Sequence, residues 1–198
     1  MRVLLTGANG FIGAHLTAAL TTAGHQVVAA VRRPPPFMVR FPAAEAVTAD
    51  MNYDVSPAAW LPRLSGVDAV VNCAGVLQSG RGQDIEAIHH LSPAALFDAC
   101  REAGVRRVIQ ISAISADAEA GTDYALSKKH ADDHLQALDL DWVVLRPSLV
   151  YGEGAYGGTA MLRALAAFPF VTPLVGDGCQ VFRPLHVEDL ARTVLECL

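Results

Sequence analysis

The sequence predicts an α/β fold, a doubly wound parallel sheet with a minimal C-terminal lobe. Short β-branched runs alternate with longer amphipathic runs along the 198 residues, and this alternation is typical of βαβ units with right-handed crossovers. The β-branched runs are apolar almost throughout, as expected of parallel strands that helices cover on both faces. A glycine-rich turn follows the first of these runs, which is a common beginning for such a sheet.

Each element follows from the local pattern, in chain order. Strands are predicted near residues 2–6, 26–31, 45–49, 68–73, 107–112 and 141–146, in the sheet order 3-2-1-4-5-6 with room for extra edge strands. Helices are predicted near residues 11–23, 56–64, 84–103, 123–138 and 188–197. The segment RRPPPF, residues 32–37, is interpreted as a surface connection stiffened by its prolines. Pro93 is expected to kink or restart the helix that contains it.

Composition narrows the class of protein. Hydrophobic residues make up 52% of the chain and the net charge is −5, so no basic field exists that would favour nucleic acid as the main partner. The four cysteines lie far apart without CxxC spacing, which predicts reduced thiols in a cytosolic protein. No apolar run reaches the roughly 18 residues of a membrane span, and the N-terminal run is too short for a signal peptide. We therefore expect a cytoplasmic protein with a small-molecule substrate.

The stretch LLTGANGFIG, residues 4–13, places Gly7, Gly10 and Gly13 between the first strand and the first helix. Glycines there expose backbone N–H groups at the positive end of the helix dipole, which is a binding site for a pyrophosphate. The spacing is GxxGxxG rather than the more common GxGxxG. The alternative is a tight turn that needs small residues for packing alone.

Several further motifs follow in a recognisable order. They are VDAVVNCAG at 67–75, GVRRVIQIS at 104–112, YALSKKHAD at 124–132, LRPSLVYG at 145–152 and FRPLHVEDLA at 182–191. Together with the glycine turn they resemble the extended or atypical short-chain dehydrogenase/reductase superfamily, the relatives of sugar-nucleotide epimerases and dehydratases, and within it the subgroup of the complex I accessory subunit. The resemblance implies one NAD(P)-binding Rossmann domain over residues 1–198, in which residues 148–198 form a rudimentary substrate lobe.

The cofactor preference is predicted from the end of the second strand. NAD-preferring members of the family carry an acidic residue there for the ribose 2′-hydroxyl, whereas this chain has Val31 followed by Arg32 and Arg33. A guanidinium pairs well with a 2′-phosphate, so NADP(H) is favoured over NAD(H). The alternative is a solvated basic turn.

The resemblance also implies the other cofactor contacts. Asp50 corresponds to an acid that contacts adenine, and the turn Asn72–Gly75 lies beside the adenosine ribose in the family. The full set of predicted cofactor-binding residues is Thr6, Gly7, Asn9, Gly10, Phe11, Ile12, Gly13, Arg32, Arg33, Asp50, Met51, Cys73, Ala74, Gly75, Lys128 and Pro147.

Tyr124 and Lys128 form the candidate catalytic pair. Four positions of a helix turn about 400°, so both side chains lie on one face. A tyrosine hydroxyl titrates at roughly 10, and a nearby ammonium favours the phenolate. The resemblance implies that Tyr124 exchanges the substrate's proton while a hydride moves to or from the nicotinamide, and that Lys128 also holds the nicotinamide ribose.

Two positions depart from the family pattern. Ala113 stands where the family usually has a catalytic Ser or Thr, and Ser112 is predicted to take that role after a small shift of the loop. The alternative is that Ser112 only bonds backbone at the end of the strand. His89 or His90 stands near the family's structural asparagine. Two functions therefore stay open: hydride transfer on a small carbonyl, alcohol or sugar nucleotide, and a non-catalytic NADPH-binding structural or sensor protein.

Two further features of the sequence give predictions: a pair of histidines in the fourth helix and an apolar stripe on the last helix. His130 and His134 have HxxxH spacing but point away from the face of Tyr124, and Asp132 beside them is typical of a solvated surface, so no metal site is expected. The apolar stripe of the last helix, residues 187–198, predicts a partner or a further domain on that face. A homodimer is a further expectation.

Overall fold

Six parallel strands form the central sheet of this computed structural model, which describes residues 1–80, 82–156, 158–171, 176–179 and 181–198. The strands are β1 (Arg2–Thr6), β2 (Gln26–Val31), β3 (Glu45–Thr48), β4 (Ala69–Asn72), β5 (Arg107–Ile111) and β6 (Asp141–Leu145). Their order is β3-β2-β1-β4-β5-β6. This confirms the predicted doubly wound sheet and its strand order.

Helices cover both faces of the sheet. They are α1 (Phe11–Thr22), α2 (Pro34–Arg40), α3 (Pro57–Trp60) with a 3₁₀ turn (Leu61–Leu64), a π-helical turn (Ala87–Leu91), α4 (Ser92–Ala103), α5 (Asp123–Gln136), α6 (Gly158–Ala166) and α7 (Val187–Glu196). Two short strands, β7 (Val150–Tyr151) and β8 (Leu185–His186), pair in parallel beside the main sheet. No helix among the described residues is long and apolar enough to cross a membrane.

The alternation of side chains along the strands divides the core into two clusters. Val3 and Leu5 of β1 lie in one cluster with Leu16 and Leu20 of α1. Leu4 lies in the other, which α3 and α4 close from the opposite face. Because successive strand residues point to opposite faces, an unbroken apolar run fills both clusters at once.

The proline-rich segment forms a helix, which corrects its interpretation as a connection. α2 begins at Pro34 and buries Phe37 in the core. Prolines are tolerated in the first turn of a helix because the missing N–H groups have no intrahelical partner there. The run of prolines therefore starts the helix instead of preventing one.

The predicted kink at Pro93 takes the form of the π-helical turn. Pro93 lies in the first turn of α4, and the π turn of residues 87–91 comes directly before it. A proline cannot donate to the carbonyl four residues earlier, and its ring clashes with that carbonyl. The residue four positions before Pro93 is His89, so the helix widens at this histidine.

The apolar stripe of the last helix is partly covered by the chain itself. α7 packs against α1, and its buried residues include Leu190 and Val194. Val194 belongs to the same core cluster as Leu16 and Leu20. Part of the stripe is therefore buried within this chain, and a partner or further domain on this face stays a prediction.

Candidate functional site

The candidate site lies at the carboxyl ends of β1, β4 and β5, where a buried polar chain crosses the sheet. The Thr6 hydroxyl donates to Asn72 Oδ1, and Asn72 Nδ2 donates to Gln110 Oε1 at 2.7 Å. The Thr6 oxygen accepts the backbone N–H groups of Cys73 at 3.1 Å and Ala74 at 3.3 Å. The buried side chain of Thr6 thus anchors the loop after β4 to the end of β1.

The three glycines of the first turn have different roles. Gly7 has a φ of +66°, and a Cβ there would lie 2.6 Å from the Cys73 carbonyl oxygen. A Cβ on Gly13 would collide with the Gly7 carbonyl. Both positions therefore need glycine so that backbones can approach closely. Gly10 is the least constrained of the three, since its Cβ would lie 3.2 Å from the Gly7 oxygen and 3.6 Å from the Tyr156 hydroxyl.

The first turn of α1 has the features of a phosphate site. Gly10 is the N-cap and supplies no capping side chain, and the turn contains no acidic residue. The N–H groups of Phe11, Ile12 and Gly13 have no backbone partner within the described residues, as is normal for the start of a helix. These donors and the helix dipole fit a dinucleotide pyrophosphate. The exposed Asn9 lies in the turn just before them.

Two arginines, and no acidic residue, follow directly after the end of β2 in the sequence. Val31, the last residue of the strand, is buried in the core. Arg32 and Arg33 are exposed, and neither forms an ion pair in the part of the chain that the structure describes.

The predicted adenine side of the site is held by local hydrogen bonds. Asp50 Oδ1 accepts the Asn52 backbone N–H at 3.1 Å and side-chain Nδ2 at 2.7 Å. Met51 packs its side chain against the core. Its sulfur lies 3.4 Å from the Ser92 hydroxyl, which donates to the Asp54 carbonyl at 2.8 Å. A cofactor contact of Met51 would therefore come from its backbone.

Lys128 lies buried between the ends of β4 and β5. Its ammonium donates to the Ala74 carbonyl at 3.1 Å and to the Ile111 carbonyl at 3.1 Å. Burial lowers the pKa of Lys128 to about 8, so the group remains largely protonated at pH 7. An ammonium has three donors, and two of them are used here. Gly75 lies against the same group, with its Cβ position 3.5 Å from Lys128 Nζ.

Tyr124 lines a pocket of about 430 Å³. The other lining residues are Leu77, Gln78, Ser79, Ile85, Thr122 and Asp123. Burial raises the pKa of Tyr124, so its phenol is protonated at neutral pH. The Thr122 side chain caps α5 by accepting the Ala125 N–H, which fixes the helix turn that presents the tyrosine.

His89 connects the π-helical turn to Tyr124 and Lys128. Its imidazole is fully buried, and burial together with the charge of Lys128 lowers its pKa to about 3, so the ring is neutral. Nε2 accepts the Val76 backbone N–H at 2.9 Å. Because that group can only donate, the single ring proton lies on Nδ1, 3.0 Å from the Ser127 oxygen. The ring meets Tyr124 edge to face, with centroids 5.2 Å apart.

Ser112 has a different partner from the one expected of a catalytic residue. Its hydroxyl donates to Asp132 Oδ2 at 2.8 Å, and Arg146 Nε donates to the same oxygen at 2.9 Å. Asp132 is fully buried, which corrects its prediction as a solvated residue, and burial raises its pKa. This geometry argues against the predicted catalytic role of Ser112. Ala113 is also buried and has no hydroxyl. Neither residue therefore offers a hydroxyl to the pocket.

The last predicted cofactor residue belongs to the loop after β6. The Pro147 carbonyl accepts the Ile114 N–H at 2.9 Å. This bond extends the pairing of β5 and β6 past their ends and joins the two loops that border the site.

Comparison with known proteins identifies the family. A family model described as NAD(P)H-binding matches residues 7–168. The chain is 32% identical to the ceramide reductase of Caulobacter vibrioides over 96% of its own length and 58% of that protein. It is 32% identical to the uncharacterized sugar epimerase YhfK of Bacillus subtilis, over 83% of this chain and 79% of that one. The solved structure of MoeE5 in complex with UDP-glucose and NAD has a TM-score of 0.78 and 27% identity, over 100% of this chain and 71% of that one.

The chain therefore belongs to the NAD(P)H-binding family, and its fold is the Rossmann type found in the epimerases and dehydratases. This confirms the resemblance drawn from the motifs. The chain spans 58% of the length of the Caulobacter relative.

Gly10→Leu should abolish nucleotide binding, because the side chain would fill the space in front of the free N–H groups of α1. Ala18→Leu adds the same kind of bulk to an exposed position of that helix and is the matched control. Calorimetric titration with NADPH, after circular dichroism has established folding, measures both. Unchanged affinity in Gly10→Leu would contradict the phosphate-site interpretation.

His89→Phe should lower the free energy of unfolding by about 2–5 kcal/mol, since the Val76 N–H and the Ser127 hydroxyl would both lose a buried partner. His89→Gln supplies an acceptor and a donor and should restore part of that loss. Urea unfolding of the two variants and the parent measures the difference. A loss in His89→Gln as large as that in His89→Phe would contradict the stabilising role of the two hydrogen bonds.

Proposed function

We propose that the protein binds NADP(H) and transfers a hydride between the nicotinamide and a carbonyl or alcohol group of an apolar substrate. The observation that carries this proposal is the buried Lys128 ammonium, which is held by two strand-end carbonyls one helical turn from Tyr124. Membership of the NAD(P)H-binding family supports the cofactor class. The names of the relatives, a reductase and an epimerase, support oxidoreductase chemistry.

In the reducing direction Tyr124 acts as the proton donor. Its raised pKa keeps the phenol protonated at neutral pH, so it can donate to a carbonyl oxygen placed in the adjoining pocket. The Lys128 ammonium lies one turn away on the same helix face and stabilises the phenolate that this transfer leaves. Its third N–H is available for the ribose hydroxyls of the cofactor. A bound nicotinamide dinucleotide supplies the hydride that goes to the carbonyl carbon.

The preference for NADP(H) rests on the turn after β2. Arg32 and Arg33 are exposed cations at the end of a strand that lacks the acidic residue NAD enzymes use. A 2′-phosphate would meet attraction here and no repelling carboxylate.

The apolar character of the substrate is inferred from the C-terminal lobe. Residues 148–198 contain three arginines and no lysine, against three glutamates and two aspartates, so the lobe carries no net positive charge. A sugar nucleotide, the other substrate class predicted from the sequence, has a diphosphate that calls for several cations. The lobe instead exposes large apolar side chains: Tyr156, Met161, Phe168, Phe170, Val171, Val181 and Phe182. The similarity to a ceramide reductase agrees with a lipid-like substrate.

A second candidate function is NADPH binding without turnover. One observation favours it: Ser112 is committed to Asp132 and Ala113 has no hydroxyl, so the usual partner of the catalytic tyrosine is missing. The two candidates share the cofactor site and differ at Tyr124.

Tyr124→Phe should reduce carbonyl reduction by about 10²-fold or more, the usual contribution of a positioned proton donor, while NADPH affinity stays within a factor of a few. Tyr53→Phe, at an exposed position outside the pocket, is the matched control. NADPH oxidation is followed by absorbance with a long-chain keto lipid in micelles, a quinone, an aldehyde and a UDP-linked keto sugar.

Turnover of the keto lipid that Tyr124→Phe abolishes would support the proposal. Turnover of the keto sugar alone would contradict the inferred substrate class. Tight NADPH binding without oxidation by any acceptor would favour the second candidate, and full activity in Tyr124→Phe would remove the residue from its role.

Arg32→Ala should weaken NADPH by about 1–3 kcal/mol, the range for a charge-assisted hydrogen bond, and leave NADH nearly unchanged. Arg40→Ala removes another arginine from the following helix, where the guanidinium lies over the Phe41 ring, and should change neither affinity. Titration of both cofactors against the three proteins measures the effect. Equal weakening of NADPH and NADH would assign Arg32 a structural role.

A further inference from the structure

Three side chains of the type that bind metals meet on the surface beside the π-helical turn. Glu86 comes just before this turn, His90 lies within it, and His130 lies on the exposed side of α5. Their ligand atoms all lie within 4.8 Å of one another. His90 Nδ1 is 2.6 Å from Glu86 Oε1, and the two imidazole rings have centroids 5.2 Å apart. No part of the proposed hydride transfer uses these residues.

Two imidazoles and one carboxylate form a donor set that suits zinc and its neighbours among the divalent transition metals. Calcium and magnesium prefer oxygen ligands alone. Zinc bonds of about 2.0–2.2 Å at a tetrahedral centre require ligand atoms roughly 3.4 Å apart. Binding would require His90 Nδ1 and Glu86 Oε1 to separate from 2.6 Å to about this value. All three side chains are at least partly exposed, which leaves them room to rotate.

The backbone around the three residues is already fixed. The π-helical turn packs against α5, and Glu86 and His90 are four residues apart on the same helical segment. Lys129, the neighbour of His130 in the chain, is paired with Asp133 at 2.5 Å, which compensates its positive charge. The three ligands would leave the fourth position of the metal open to water.

We propose that Glu86, His90 and His130 bind a divalent transition-metal ion of the zinc type, which links the π-helical turn to α5. These are the two elements that hold the candidate site together, because His89 contacts Tyr124 and Ser127 across the same gap. A metal ion at this place stabilises the packing that orients Tyr124 without touching the substrate. The three ligands themselves take no part in the proposed hydride transfer.

The proposal is tested by titrating the metal-free, untagged chain with Zn²⁺ by calorimetry and with Co²⁺ by visible absorption. One equivalent should bind, and thermal unfolding should shift to higher temperature with Zn²⁺. His90→Ala, His130→Ala and Glu86→Gln should each lower the affinity at least about 10-fold. All three positions are at least partly exposed, and circular dichroism checks that each variant folds.

His134→Ala is the matched control. It removes a histidine from the same helix as His130, but its partner is Asp98 and it lies outside the cluster. Cys179→Ser controls for zinc capture by an exposed thiol. Loss of binding in the three cluster variants with retention in both controls would support the site. Absence of binding, binding that the cluster variants leave unchanged, or equal loss in His134→Ala or Cys179→Ser would overturn it.

Discussion

The buried ammonium of Lys128 is the constraint on which the candidate site depends. A charge in this position is tolerated because two carbonyls accept hydrogen bonds from it, that of Ala74 in the loop after β4 and that of Ile111 at the end of β5. These bonds tie α5 to the sheet edge and so determine where Tyr124 lies one turn earlier. The loop that supplies the Ala74 carbonyl is itself held by the Thr6 hydroxyl. The position of Tyr124 therefore depends on a series of contacts that begins at Thr6 in the first strand.

The π-helical turn gives the chain a second support for the same tyrosine. Pro93 disturbs the helix at His89, and the widened turn brings a neutral imidazole between Val76 and Ser127. Only one tautomer satisfies both contacts. Both ring nitrogens of this histidine are therefore used. The next residue, His90, faces the surface and belongs to the proposed metal site.

The residues on the proposed cofactor side of the site and those on the proposed substrate side differ in character. Gly7 and Gly13 are close-packed against backbone, and the unpaired N–H groups of α1 form a donor set suited to a diphosphate. The lobe proposed to bind the substrate exposes several large apolar side chains, whereas the pocket at Tyr124 is lined mostly by polar residues. The fully buried Asp132 accepts hydrogen bonds from both the Ser112 hydroxyl and the Arg146 guanidinium, so the Ser112 hydroxyl is not free for a substrate. These contrasts favour a dinucleotide on one side and an apolar carbonyl compound on the other.

The sequence by itself determined the sheet, its strand order and the glycine turn, because apolar runs and glycine spacing act through local periodicity and backbone sterics. It also placed Tyr124 and Lys128 on one helix face, since that relation depends only on the helical repeat. Tertiary structure alone decided which partner each polar side chain has. Ser112 bonds to Asp132, the final stripe packs on α1, and His130 lies beside His90 rather than pairing with His134. These contacts join residues distant along the chain, and their geometry is set by how helices pack across the sheet, which local patterns do not encode.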